Sequence, residues 1–265
     1  MRVILLTHGG ADLVIEDICS RSDLELVAVF IETKQTPERS FREKLQRSIK
    51  YDGYFETGQK FLFMLAGKNG NSAGESSGST GDLTEETARK HGVPVNFVDN
   101  YHSEDSISLI RNTNADLGIV FGTNIIKESV FGIPSQGSIN LHQGLAPYYR
   151  GGPPVFWELF NDEKEVGLTV HFVASAVDTG DVILQRSVPL RYDAAFGVDF
   201  ERFIDIFRKG LRQTCAEMVG SVAEMIATGN FPRIRQNTML GKRYRLPVKS
   251  EKDEMRRRLK RRKLA

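Results

Sequence analysis

Short apolar runs alternating with stretches of helical spacing constrain this chain more than any other feature. Val3 to Thr7, Leu24 to Ile31, Gly92 to Val98, Leu117 to Phe121 and Ser138 to His142 read as buried strands. Ala11 to Ser20, Glu85 to Lys90 and Ser106 to Arg111 read as helices between them. Strands alternating with helices predict parallel βαβ units with right-handed crossovers, hence an α/β sheet flanked by helices. The second half changes texture: Leu168 to Val173 and Val182 to Gln185 read as two strands joined by a short loop, and Phe200 to Thr228 as a long amphipathic helical stretch. An irregular tail follows Gly229, and the chain from Ser250 onward is highly charged.

One segment exceeds this plan. Roughly sixty residues separate the second and third strands, against ~10–15 for a simple crossover helix. The excess reads as an insertion at about 35–82, with a basic helix from Arg39 to Lys50, an apolar one from Phe55 to Leu65, and a Gly/Ser-rich run from Gly67 to Gly81. That run reads as a flexible surface loop, because it lacks the Gly-Lys-Ser/Thr ending of a phosphate-cradling loop. The apolar run Phe61 to Leu65 is too hydrophobic to be left in water, so the helices are expected beside the active-site mouth or a subunit interface, which leaves a homo-oligomer open.

Composition excludes several classes. Of 265 residues, 40% are hydrophobic and 26% charged, enough for a sizeable core, and the net charge of +2 names no partner. The two cysteines, Cys19 and Cys215, are far apart, so a disulfide framework is not expected, and no Cys/His cluster has metal-ligand spacing. No apolar run reaches the ~20 residues that span a bilayer, and the N-terminal run reads as a strand rather than a signal peptide. A soluble, cytoplasmic protein is the expectation.

In Asn140-Leu141-His142 the two polar side chains lie two apart on a strand and share a face. A loop rich in Gly and Pro follows, from Gln143 to Pro154. A polar pair at the carboxyl end of a parallel strand lies where open α/β sheets bind ligands. Farther on, Asp178-Thr179-Gly180-Asp181 sits between two strands. Taken singly, each piece has an ordinary structural reading: a hydrogen-bonded core histidine, a polar turn. His171, on a strand beside them, reads as structural.

Together the pieces change the reading. Asn140-x-His142, the Leu-x-Pro-x-x-Arg-Gly run from Leu145 to Gly151, and Asp178-Thr179-Gly180-Asp181-Val182-Ile183-Leu184 resemble the folate-dependent formyltransferases, from about Ala115 to Leu190. The resemblance implies a Rossmann-like, mostly parallel sheet, 10-formyltetrahydrofolate as formyl donor, and Asn140, His142 and Asp178 as catalytic residues. It also implies folate binding by Gly122, Asn124, Ile125, Ile126 and Val177, with no metal. The chemistry agrees. Formyl transfer to an amine passes through a tetrahedral intermediate whose oxygen becomes negative, and the Asn140 amide and a protonated His142 could each stabilise it by ~3–4 kcal/mol. Asp178 could hold the His142 charge and relay the amine proton.

The resemblance also frames the acceptor. A catalytic domain over 1–190 and a helical C-terminal extension over 191–265 are expected, with too little chain after Leu190 for the further barrel of methionyl-tRNA formyltransferases. His8-Gly9-Gly10-Ala11-Asp12 lacks the Ser and Asn of the phosphate loop in glycinamide ribonucleotide enzymes, and Gly241 to Pro247 is similar to the tail of the sugar-amine branch. A small-molecule amine acceptor, an amino sugar or similar, is the leading expectation. The alternatives are a 10-formyltetrahydrofolate hydrolase and a methionyl-tRNA formyltransferase-like enzyme. The basic run Met255 to Lys263 reads as a solvated, frayed helix, with a nucleic-acid phosphate contact as its disfavoured alternative.

Overall fold

The computed structural model describes residues 1–33, 41–53 and 77–264. Its centre is a seven-stranded sheet in the order β3-β2-β1-β4-β5-β7-β8. The strands are β1 (Arg2–Thr7), β2 (Glu25–Glu32), β3 (Val95–Val98), β4 (Leu117–Phe121), β5 (Ser138–His142), β7 (Glu165–Phe172) and β8 (Val182–Pro189). The first five are mutually parallel, while β7 runs antiparallel to both of its neighbours, β5 and β8. Because β1 is flanked by β2 on one side and β4 on the other, the strand order reverses beside it, which opens a crevice at the carboxyl ends.

Both faces of the sheet are covered, so its strands are apolar at successive positions rather than alternate ones. Val3 and Leu5 face a core built with α1 (Asp12–Cys19) and α8 (Arg212–Ala227), which contributes Cys215, Met218, Val219 and Val222. Ile4 and Leu6 face the opposite core, with Phe30, Tyr101 and Val120, with Ile110 from α4 (Glu104–Asn112) and with Val130 from α5 (Glu128–Phe131). A third cluster lies off the sheet edge. It joins Phe156 and Trp157 of α6 (Phe156–Phe160) to Phe200 and Phe203 of α7 (Phe200–Gly210).

Three expectations change here. The helical stretch from Phe200 to Thr228 is two helices meeting at Leu211. Gly210 is a weak helix former, and the two halves serve different cores, α7 the aromatic cluster and α8 the sheet, so the apolar stripe must change direction. The basic C-terminal run is a helix, α9 (Lys249–Leu264), docked rather than solvated. Met255 and Leu259 are 2% and 3% exposed in the aromatic cluster, and Arg258 lies 4.3 Å over the Phe160 ring. Three of its cations are committed: Arg256 bonds Glu201, while Arg257 and Arg258 bond Glu254. The last part of the Gly/Ser run is not loop, since α3 spans Ser77–Lys90. Packing of its C-terminal half, where Ala88 is fully buried, nucleates that helix, and each further turn then costs little.

Within the insertion, α2 (Phe41–Asp52) occupies the predicted basic helix. The apolar helix expected from Phe55 to Leu65 and the run from Gly67 to Ser76 lie outside the described residues. Among the described residues, no helix is long and apolar enough to cross a membrane.

Candidate active site

The carboxyl end of β5 delivers Asn140 and His142, and the loop between β7 and β8 delivers Asp178. The chain leaving β5 is tied down at once. Thr169 Oγ1 accepts from the Ala146 N–H at 3.2 Å and donates to the Gly144 carbonyl at 2.8 Å, while Gln185 Nε2 donates to the Ala146 carbonyl at 2.7 Å. This returns the chain as β6 (Tyr149–Gly151), which pairs in parallel with β9 (Lys242–Tyr244). Gly151 is required there: its φ is +77°, and a Cβ would stand 2.5 Å from the Tyr244 carbonyl oxygen.

Asp178 is the hub of the site. Its Oδ2 accepts the Gly151 N–H at 2.8 Å and lies 3.4 Å from His142 Nδ1; its Oδ1 lies 3.5 Å from His171 Nε2. Asn140 Nδ2 lies 3.4 Å from the same His171 nitrogen. His171, read from sequence as structural, therefore joins Asn140 to Asp178. Its Nδ1 faces the Phe172 carbonyl at 2.7 Å, which fixes the ring. Asp178 itself has φ of +53°, a left-handed conformation that Asp tolerates better than most residues.

Burial alone would raise the Asp178 carboxyl, but the His171 hydrogen bond, the His142 charge and the Gly151 N–H together hold it below its ordinary value of 3.8. For His142 the balance runs the other way. Burial drives its pKa below the usual 6.5, and the Asp178 charge and the Tyr149 carbonyl, 2.6 Å from Nε2, offset that only in part. The expected standing positive charge on His142 is thus countered by desolvation. Because the Tyr149 carbonyl can only accept, Nε2 carries a proton, and Nδ1 is the nitrogen left to exchange one with Asp178.

Asn140, His142 and Asp178 line one cavity of about 290 Å³ at the carboxyl ends of β4 and β5. Gly122, Asn124, Ile125, Ile126 and Val177 line the same cavity, so the structure brings every residue expected at the site to one place. Gly122 has φ of +66° where the chain turns off β4, and Ile126 is buried while Ile125 stays exposed.

A second cavity, of about 510 Å³, lies on the other side of β6. Tyr149 and Tyr244 stack across its wall with ring centroids 5.1 Å apart, and Glu158, Glu163 and Glu165 line it beside Lys242. Glu158 is 3% exposed, and burial pushes its carboxyl up from 4.5 to about 7. A small void between the two cavities is walled by His142, Gly151, Glu158 and Tyr244. Sequence reasoning missed Glu158, which sits in the aromatic run Phe156 to Phe160, and Gln236, which donates to the carbonyls of Asp178 and Gly180 from the irregular tail. Only the unusual acid inside an apolar run could have flagged Glu158; nothing local flags Gln236.

The formyl transferase family model matches residues 79–197. A methionyl-tRNA formyltransferase of Geobacter metallireducens is 38% identical over 155 residues, 58% of this chain and 47% of the relative. The chain spans about half the length of the curated relatives it matches. A glycinamide ribonucleotide transformylase from Symbiobacterium toebii shares the fold with a TM-score of 0.58 at 16% identity, over 88% of this chain and 94% of that one. A sugar N-formyltransferase from a Shewanella species does so with a TM-score of 0.54 at 15% identity, over 92% and 76%. Residues 79–197 therefore match the formyl transferase family model, and the chain around them shares the fold of these solved transferases.

Proposed function

We propose that this protein transfers a formyl group from 10-formyltetrahydrofolate to the amine of a small acceptor. The observation that carries the reading is the convergence of Asn140, His142 and Asp178 on one cavity whose remaining wall is formed by the turns after β4 and β7. A sugar 3N-formyltransferase of the same fold, 14% identical with a TM-score of 0.52, is described in the presence of 5-N-formyl-THF. In this chain Gly122, Asn124, Ile125, Ile126 and Val177 would hold the donor's ring. The donor supplies a formyl carbon already bonded to nitrogen.

The side chains then divide the work. The Asn140 amide points a donor to where the formyl oxygen gains charge as the amine adds to the carbon, a stabilisation of ~3–4 kcal/mol. Asp178, ionised well below neutrality, takes the proton that the attacking nitrogen must lose. The His142 Nδ1 position beside it offers a path for returning a proton to the departing nitrogen. One N–C bond forms, one breaks, and one proton moves between the two nitrogens.

The acid-lined cavity beside β6 supports a small acceptor. Glu163 and Glu165 offer hydrogen-bond acceptors to a small polar amine and repel a phosphate backbone. The relatives named methionyl-tRNA formyltransferases keep a tRNA-borne amine as the second reading. A screen of amino sugars, other small amines, methionyl-tRNA and water, with formyl donor and purified protein, tests both by a mass gain of one formyl group. Transfer to a small amine is expected. Formylation of methionyl-tRNA alone would overturn the acceptor reading, and donor consumption without any formylated amine would make the protein a hydrolase.

A further inference from the structure

Asp178 does not hold itself in place. Its backbone is left-handed, and its carboxylate position depends on a Gly151 N–H carried by a strand of only three residues. Both supports trace to one segment, 231–244, beyond the residues that match the family. Ile234 pairs with Val182 through two backbone hydrogen bonds, of 2.8 and 2.9 Å. Arg233 bonds Asp181 at 2.8 Å and lies 4.6 Å over the Phe172 ring. Gln236 Nε2 then donates to the Asp178 carbonyl at 3.1 Å and to the Gly180 carbonyl at 2.6 Å. Six residues on, β9 begins its pairing with β6 and so braces Gly151.

The Gln236 amide can sit only one way. Turned over, its oxygen would face two carbonyl oxygens, all acceptors. In the orientation seen, Oε1 is the one buried side-chain oxygen or nitrogen among the described residues with no hydrogen-bond partner. An orphaned acceptor is unfavourable, and the paired grip on the Asp178 loop is what this geometry gains in exchange.

We infer that Gln236 is a positioning residue for Asp178: both amide protons clamp the carbonyls on either side of Thr179 and fix the carboxylate between His142, His171 and Gly151. The inference rests on the proposed formyl transfer for its kinetic test, though its spectroscopic test stands without it. Misplacing a reacting group by about 1 Å can cost ~100-fold, so Gln236→Ala and Gln236→Met should lower kcat by about 10- to 100-fold while changing KM for the formyl donor by less than about threefold. The His142 ring titration, followed by imidazole nitrogen shifts, should move in both variants, because Asp178 is the charge beside it. Gln236→Glu should be nearly inactive at about pH 8, since a carboxylate cannot donate to either carbonyl, and should regain part of its rate only as the pH falls through the pKa of the new carboxyl, when its single proton can replace one of the two amide donors. A wild-type kcat with an unmoved His142 titration in Gln236→Ala would overturn the inference, whether or not the melting temperature falls. If the wild type transfers no formyl group, the proposed function fails, and the His142 titration alone decides whether Gln236 positions Asp178.

Discussion

Asp178, half-buried, and Glu158, buried, are two carboxyl groups on either side of β6 whose charges are held differently. Burial pushes both upward. Asp178 ends below its ordinary value because two histidines and a backbone N–H answer its charge. Glu158 ends at about 7, because its partners are only the backbone N–H groups of its own short helix and its neighbour Glu163 is another acid. Depth alone does not set ionisation; the number of donors aimed at the oxygens does. The Asp178 side is built to keep a charge, whereas the Glu158 side is built to gain or lose one near neutral pH.

Removing the charge on the first side should have the largest effect. Asp178→Asn fits the same left-handed backbone but cannot take a proton, and His142→Ala removes its exchange partner. Each should cut formyl transfer by at least ~100-fold, about 2.7 kcal/mol of barrier, with the fold intact by circular dichroism. A near-normal rate in either variant would take that residue out of the mechanism.

On the second side the effect should be on stability, with a pH dependence. The folded Glu158 pKa lies above its ordinary 4.5, so its contribution is fully present below 4.5 and is lost as the pH rises through about 7. The full loss is on the order of 3 kcal/mol. Glu158→Gln should abolish this decline, making the variant more stable than wild type at about pH 8 in thermal melts. Asp178 has the opposite slope, contributing stability that disappears only as the pH falls through the ordinary carboxylate range and below. Parallel melting curves for Glu158→Gln and wild type across neutral pH would show that Glu158 does not titrate there.

The smallest effect should come from the wall between them. Tyr149 serves one side through its backbone oxygen, which faces His142, and the other through its hydroxyl, which donates to Glu163 at 2.7 Å. Tyr149→Phe removes the hydroxyl, with its bond to Glu163 and the one that Asn161 Nδ2 donates to it at 3.0 Å. It should cost about 1 kcal/mol of stability while leaving kcat within about twofold, because the carbonyl remains. A large fall in rate would mean that the two sides are coupled through the tyrosine ring.

Legibility followed the same division. β4 and β5 run from Leu117 to Phe121 and from Ser138 to His142, the bounds read from sequence, because central strands covered on both faces are apolar runs with clear polar edges. Asn140, His142 and Asp178 were legible from residue type, strand position and family resemblance. What binds them was not. The role of Gly151 depends on φ and on a close approach by Tyr244, and that of Gln236 on a pairing between distant segments. Neither leaves a local pattern. The docked helix α9 hid its apolar contacts in a run of arginines, where Met255 and Leu259 are only four residues apart.

The clamp on the Asp178 loop has a consequence for synthesis. Gln236 follows Asp178 by 58 residues, so on a ribosome adding ~5–20 residues per second the loop exists for roughly 3–12 s before its clamp is made. Throughout that interval the cavity walls from β4 and β5 are already in the chain. Segment 231–244, made after every residue that lines the cavity, is therefore the one that fixes the Asp178 loop.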